Sequence, residues 1–128
     1  MGKTLNTRAW TIGEMDRSGI VWPIAGSVRY ASSSATWHPT GFDGFWMKLL
    51  FEDAESGEKT LLMKVDPGAY APMHAHPGEM EQIYVLEGTL YDQDGTLGPG
   101  DYCCREPGAA HEAGSLEGAV VLLVYSRR

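Results

Sequence analysis

The sequence of 128 residues contains very little cysteine, and this shortage excludes a disulfide-stabilised scaffold. The two cysteines, Cys103 and Cys104, are adjacent, where a mutual disulfide would be strained. On a strand, adjacent side chains point to opposite faces, so one of these sulfurs points inward and the other outward. We therefore predict two free thiols in a reduced, cytoplasmic protein.

Basic residues and long apolar runs are also scarce. The 10 Lys and Arg residues are outnumbered by 17 Asp and Glu residues, and no basic stripe is present, which argues against nucleic acid as a partner. The longest apolar run, 119–125, is far shorter than the roughly 20 residues of a membrane span. The polar start of the sequence does not resemble a secretory signal. We expect neither a nucleic acid nor a membrane partner.

No stretch shows the 3.6-residue apolar repeat of a capped helix. Instead, 16 glycines and 7 prolines fall mostly between short apolar runs, which is typical of many strands joined by turns. The length fits one domain, and we predict an all-β fold. The expected strands are 45–51, 60–65, 70–76, 82–86, 89–91, 102–105 and 120–125.

The first forty residues are less regular than the rest. Trp10, Trp22 and Trp37 need to be covered, whereas Ser32 to Ser34 read as a loop. We predict that residues 1–40 form an N-terminal arm that packs on the barrel of residues 41–128 or on a partner subunit. Three tryptophans in a short arm favour a homodimer, since a small barrel covers few of them itself.

Three of the four histidines fall into one spaced pattern that favours a metal site. Residues two apart on a strand share a face, so His74 and His76 present their imidazoles side by side. Glu81 begins the next strand, which we expect to be antiparallel to theirs, and His111 follows in a later turn. This donor set suits one divalent transition metal ion per chain, such as Fe, Zn, Mn or Ni.

Other residues near this pattern have simpler interpretations. His38 is expected to be an ordinary polar residue, and Glu79 is the rival to Glu81 but fits an exposed turn carboxylate better. Cys103, Arg105 and Glu79 are possible pocket residues. Arg105 could bind a substrate carboxylate or enolate if it faces inward, although a solvent-facing side chain is the favoured interpretation.

The spacing resembles the two sequence motifs of the cupin superfamily. The first motif is filled at every position, by Gly68, His74, His76, Glu81 and Gly88. The second is resembled by Gly100, Gly108 and His111, with Glu106 in place of a proline and Ser115 in place of an asparagine. The resemblance implies an RmlC-like β-barrel of two packed sheets, a jelly roll, with His74, His76, Glu81 and His111 as metal ligands.

Two kinds of cupin share further residues with this chain. One resemblance is to the cupin lobe of ChrR-type anti-sigma factors, a zinc-binding sensor module. It is carried by Glu87, Asp92, Gly100 to Tyr102 and Pro107 to His111. The run 105–107 is similar to the dioxygenases of acetylacetone and 2,4′-dihydroxyacetophenone, which hold iron(II) and cleave a C–C bond beside a carbonyl. The favoured function is therefore a metal-dependent enzyme acting on a small organic molecule, and the alternatives are a sensor or a binding protein without catalysis.

Overall fold

The computed structural model describes residues 19–128, and this part of the chain is built almost entirely of strands. A single turn of 3₁₀ helix spans Ser32–Ser34. The strands are β1 Ile20–Val21, β2 His38–Pro39, β3 Phe45–Asp53, β4 Glu58–Val65, β5 Tyr70–His74, β6 Glu79–Gly88, β7 Leu90–Asp92, β8 Gly95–Leu97, β9 Tyr102–Arg105, β10 His111–Gly114 and β11 Ala119–Arg127. The all-β prediction is confirmed. In the described residues no helix is long and apolar enough to cross a membrane.

Two sheets pack face to face. The large sheet has the order β1-β3-β4-β11-β6-β9, with β2 also paired to β3, and the small sheet has the order β5-β10-β7-β8. Side chains alternate along the long strands, so one face of each is buried in the core and the other faces outward. The core consists mainly of the inward residues of the large sheet: Phe45, Met47, Leu49, Leu61, Met63, Val65, Ile83, Val85, Val121, Leu123 and Tyr125. This arrangement is the predicted jelly roll.

The described part of the N-terminal arm lies along its own barrel. β1 runs parallel to the end of β3, and β2 is antiparallel to its beginning. Trp37 is half-buried, with Lys48 Nζ 4.5 Å from its ring centroid. Trp22, which we expected to be covered, is 48 % exposed, and Trp10 lies outside the described residues. The boundary between arm and barrel and the homodimer stay predictions.

The strand boundaries correct three expectations about the histidines. β5 ends at His74, so His76 lies in the connection to β6 rather than in the same strand. β6 does not pair with β5; it joins β11 and β9 in the other sheet, because the chain crosses between the sheets at 75–78. His111 begins a strand, β10, whereas a turn was expected. Its Cα partner across the strands is His74.

Candidate metal centre

Three histidines meet inside the barrel, as the spacing predicted. One ring nitrogen from each of His74, His76 and His111 lies within 4.8 Å of the other two. The three residues are at most 4 % exposed. Two of them come from neighbouring strands of the small sheet, and the third comes from the connection that leaves it.

Backbone carbonyls fix the orientation of two of these rings. His74 Nδ1 lies 2.8 Å from the carbonyl oxygen of Pro72, and His111 Nδ1 lies 3.3 Å from that of Ala109. A carbonyl oxygen can only accept, so in both rings Nδ1 carries the proton and Nε2 is left as the atom that can bind a metal.

The connection that carries His76 is held by its own backbone. The carbonyl oxygen of His76 accepts hydrogen bonds from the N–H groups of Glu79 at 3.2 Å and Gly108 at 3.1 Å. The first bond closes the turn through Gly78, whose φ of +75° is a conformation that glycine adopts without strain. The second ties this turn to the loop that precedes His111. Both histidine-bearing segments are therefore held together before any ion binds.

Glu81 lies beside the histidines, on the large sheet. Its Oε2 is 3.4 Å from His76 Nε2, and its Oε1 is 3.6 Å from His111 Nε2. The side chain is buried and is held by two donors: the Tyr125 hydroxyl donates to Oε2 at 2.6 Å, and Arg105 Nε donates to Oε1 at 3.3 Å. An anionic carboxylate close to three neutral imidazoles is the chemistry of a site for a divalent transition metal.

Burial keeps the imidazoles neutral. Removal from water lowers the pKa of His74, His76 and His111 below the ordinary value of 6.5, because the charged ring is disfavoured in the interior. A neutral imidazole is the form that binds a metal ion. The ring orientations, the neutral state and the carboxylate together fit a bound divalent cation.

Glu79 and His38 lie outside the cluster. Glu79 was expected on an exposed turn, but it is half-buried as the first residue of β6, and its Oε2 is 2.9 Å from Lys59 Nζ. His38 is half-buried in β2, where its Cα partner is Met47 of β3. Of the two glutamates that follow the histidine pair, Glu81 is the one beside the imidazoles.

Arg105 differs from the favoured expectation, since its side chain is buried and not solvent-facing. It is 9 % exposed, and it bridges two carboxylates, Glu81 through Nε and Asp92 through Nη2 at 2.7 Å. The parity of β9 explains the difference: Arg105 is the Cα partner of Glu81, so both side chains point into the barrel. Cys103 shares this inward parity and packs against the core, and Cys104 is exposed.

Both cysteines are free thiols, as predicted. Burial raises the pKa of the Cys103 thiol. A cleft with a volume of about 480 Å³ reaches the centre only through Arg105 and Ala109, and none of the three histidines or Glu81 lines it. Cys103, Cys104, Arg105 and Ala109 contribute to its lining. Glu79 does not line this cleft.

Sequence reasoning missed the role of Tyr125 and that of Asp92, which accepts a hydrogen bond from Arg105. Tyr125 was assigned to a strand without a function, yet it is the Cα partner of Glu81 and its hydroxyl holds that carboxylate. The signal available in the sequence was the inward alternation of Val121, Leu123 and Tyr125.

Ser115, which stands where the motif has asparagine, is fully buried. Its hydroxyl donates to the carbonyl of Thr89 and accepts from the N–H of Gly118. Its hydroxyl therefore holds this turn.

The chain was compared with family sequence profiles, curated protein sequences and solved structures. The sequence profile of the ChrR cupin-like domain matches residues 26–128. No curated protein sequence matches the chain. Among solved structures, an RmlC-like cupin from Ralstonia eutropha is similar with a TM-score of 0.69 and 17 % identity, over 80 % of this chain and 69 % of that one.

Two further structures share the fold at low identity. One is the anti-sigma factor ChrR of Rhodobacter sphaeroides, solved in complex with SigE, with a TM-score of 0.60 and 22 % identity over 73 % of this chain and 50 % of that one. The other is the DMSP lyase DddQ of Ruegeria pomeroyi, with a TM-score of 0.61 and 22 % identity over 75 % and 58 %. This chain thus spans about half of the first protein and somewhat more than half of the second. The profile match covers most of the sequence, and the chain belongs to the family of ChrR cupin-like domains.

Proposed function

We propose that this protein is a metal-dependent enzyme that acts on a small organic molecule. The observation that carries the proposal is a cleft with two wall residues that contact the centre. Arg105 lines the cleft and also contacts Glu81, and Ala109 lines it while accepting the hydrogen bond of His111. A lined cleft adjoining a metal centre is what an enzyme site needs, whereas a purely structural ion needs none.

We assign His74, His76, His111 and Glu81 as ligands of one divalent ion, with Fe, Zn, Mn or Ni as candidates. A bound ion would supply an electrophilic centre for a carbonyl or enolate oxygen. Four protein ligands leave two positions of an octahedron for other molecules. Tyr125 and Arg105 orient the carboxylate of Glu81, and the buried walls of the barrel exclude water from the histidines.

The most specific version of the reaction is dioxygenase-like cleavage of a diketone or a phenolic ketone. It rests on the similarity of residues 105–107 to cupin dioxygenases. In this site Arg105 is already paired with Glu81 and Asp92. Its proposed role is therefore to hold the carboxylate, not to bind a substrate anion. A cytoplasmic location is consistent with the two free thiols.

A zinc-binding sensor is the second candidate, and one observation favours it. His74, His76, His111 and Glu81 are almost fully buried, and four buried ligands can form a closed tetrahedral zinc site. The similarity of the fold to that of the anti-sigma factor ChrR supports the same possibility. In that role the cleft would receive a signal molecule or an oxidant without converting it.

The test begins with metal analysis of protein purified without chelators, followed by O2-uptake and product assays over diketones and phenolic ketones. We expect one ion per chain and turnover of at least one compound. In the matched pair of variants, Glu81→Gln should lose most of the metal on dialysis and Glu79→Gln should keep it. Emptying of the site by Glu79→Gln alone would overturn the ligand assignment. Stoichiometric zinc with four-coordinate geometry and no turnover would favour the sensor.

A further inference from the structure

The two edges of the large sheet are not equally covered. At one edge β3 is paired with β1 and β2 of the N-terminal arm, which protect both ends of that strand. At the other edge β9 pairs with β6 alone among the described strands. A strand with a single neighbour presents unpaired N–H and C=O groups along its free side, and another chain can pair with them.

The start of the ladder between β6 and β9 shows which backbone groups of β6 point towards β9. The N–H of Val85 donates to the carbonyl oxygen of Asp101 at 3.1 Å, and the N–H of Gly100 donates to the carbonyl oxygen of Val85 at 2.8 Å. Both backbone groups of Val85 therefore point towards β9. Because these directions alternate along a strand, the backbone groups of Ile83 and Glu81 point the same way.

The register then identifies the free groups of β9. Cys103 and Arg105 are the Cα partners of the two β6 residues that point towards β9, so their N–H and C=O groups are used in the ladder. The backbone groups of Tyr102 and Cys104 alternate with them and point away from β6. Both residues are exposed. The free side of β9 thus offers two donors and two acceptors in the arrangement that an antiparallel or parallel strand requires.

The cleft of about 480 Å³ lies on this free side. Its walls contain residues 92–97, which form the end of β7 and all of β8, and residues 102–106, which include all of β9. β8 is the last strand of the small sheet and pairs with β7 alone among the described strands. The cleft is therefore a gap between the edges of the two sheets. Neither edge strand contains a lysine or a proline, the residues with which proteins often block a free edge.

We propose that this cleft binds an extended, basic segment of a partner protein, which adds one strand to the large sheet beside β9. The backbone groups of Tyr102 and Cys104 form the main-chain hydrogen bonds, and the cleft walls receive alternate side chains of the segment. The volume of the cleft falls within the range of roughly 300–1,000 Å³ that is usual for ligand sites. β9 has 4 residues, so the paired segment is short.

The charge of the cleft favours a basic segment. Four charged residues line it: Asp92, Asp94, Arg105 and Glu106. Arg105 bonds to Asp92 and also to Glu81, so its positive charge is already compensated. The exposed carboxylates of Asp94 and Glu106 are left to attract lysine or arginine side chains. An acidic segment would be repelled by both of them and by the net charge of −7.

This binding does not rest on the proposed function, because it uses the backbone of β9 and not the ligands of the metal. It should therefore occur whether the protein is an enzyme or a sensor. The bound segment nevertheless fills the cleft in which the proposed substrate or signal molecule would bind. The partner thus controls access to that cleft, and the segment and a small molecule should compete.

Selection from a library of short random peptides displayed on phage, with the full-length protein purified without chelators as the target, provides a probe. We expect the enriched peptides to contain lysine or arginine and to lack proline in their central residues, since a pairing strand needs its N–H groups. Fluorescence anisotropy then measures the affinity of one enriched peptide. A library that yields no binding peptide, or one that yields acidic or proline-rich peptides, would overturn the proposal.

Cys104→Pro is the most direct variant. Proline removes the N–H that faces the cleft, and an edge strand tolerates proline where the N–H points away from the sheet. This variant should weaken peptide binding by about tenfold, because a carbonyl of the peptide loses its donor. The matched control Cys104→Ala removes the thiol but keeps the N–H, and it should bind as tightly as the wild type. Equal affinity of Cys104→Pro and wild type, or equal loss in both variants, would overturn the pairing with β9.

Two further measurements do not depend on a proline variant. In the wild-type protein, the peptide should slow amide hydrogen exchange at Tyr102 and Cys104, whose N–H groups are otherwise free. Glu106→Lys should weaken peptide binding, whereas Glu117→Lys should not, because Glu117 is exposed but does not line the cleft. Circular dichroism should show that both variants are folded. Unchanged exchange at Cys104, or equal affinities for the two charge variants, would contradict the proposal.

Discussion

The two sheets of the barrel differ in length, composition and task. The main strands of the large sheet have 8 to 10 residues, and their inward rows form most of the hydrophobic core. The strands of the small sheet have 3 to 5 residues, yet β5 and β10 provide His74 and His111. The large sheet contributes to the centre mainly through Glu81 and the two groups that hold it. The long strands thus stabilise the fold, and the short strands present two of the three imidazoles.

The largest expected effects come from substituting one buried residue in each sheet. Leu123 of the large sheet is 1 % exposed, so Leu123→Ala should lower the free energy of unfolding by about 2–5 kcal/mol, with one metal ion per chain retained. His74→Ala should instead weaken metal binding by more than about 100-fold. Substitution of residues that only support a ligand costs up to about 100-fold, and loss of a ligand itself should cost more. Chemical denaturation and metal analysis after dialysis give the two readings.

His38→Ala is the control for the second variant, since His38 lies in β2 and outside the cluster. If Leu123→Ala released the metal in its folded state, or if His38→Ala did so, the division between the sheets would be wrong.

A smaller effect is expected where the large sheet supports the ligands. Tyr125→Phe removes the hydroxyl that donates to Glu81 Oε2 and leaves the ring that packs 5.2 Å from that of His76. Loss of a hydrogen bond to a ligand typically weakens metal binding by about 10–100-fold. Competition with a chelator measures the affinity. Tyr70→Phe, which changes a tyrosine of the small sheet bonded to Glu112, should leave it unchanged. Equal affinities for Tyr125→Phe and wild type would show that Glu81 needs no such support.

The pH dependence of stability should also follow the histidines. Burial lowers the pKa of His74, His76 and His111 from 6.5, so the unfolded chain takes up protons first as the pH falls. The contribution of these histidines to the stability of the metal-free protein is therefore fully present above pH 6.5 and is lost as the pH falls below it towards the lowered pKa values. Urea denaturation at several pH values should show this decline, and His111→Ala should make it shallower. A decline of equal steepness in His111→Ala would mean that other groups cause it.

The smallest effect concerns the thiols on β9, at the edge of the large sheet. Denatured, unreduced protein should titrate two thiols per chain. In the native protein Cys104 should react quickly and Cys103 slowly, because Cys104 is exposed and burial raises the pKa of Cys103. Cys104→Ser should remove the fast phase alone. Loss of the slow phase in that variant would contradict the inward direction of Cys103.

The sequence predicted those features that depend on short-range periodicity. Alternation located the long strands, and β9 begins and ends at the expected residues. The spacing of His74 and His76 brought two ligands together although only His74 lies in a strand, whereas His111 was located by the resemblance to the second cupin motif. Pairing between distant strands was harder to predict. The assignment of β5 and β6 to different sheets depends on partners that are far away in the chain, as does the Cα pairing of Tyr125 with Glu81. Arg105 points inward because its partner across the strands is Glu81. The residues next to Arg105 in the sequence do not reveal this pairing.

The contact between Arg105 and Asp92 joins the two sheets at the wall of the cleft. Oδ2 of Asp92 accepts the hydrogen bond of Arg105, and Oδ1 accepts the backbone N–H groups of Asp94 and Gly95 in the turn between β7 and β8. The carboxylate of Asp92 thus connects a hairpin of the small sheet to a side chain of the large sheet by hydrogen bonds. Because Arg105 and the hairpin both line the cleft, this contact should limit how far the cleft wall moves. Weakening the contact should speed amide hydrogen exchange at Asp94 and Gly95.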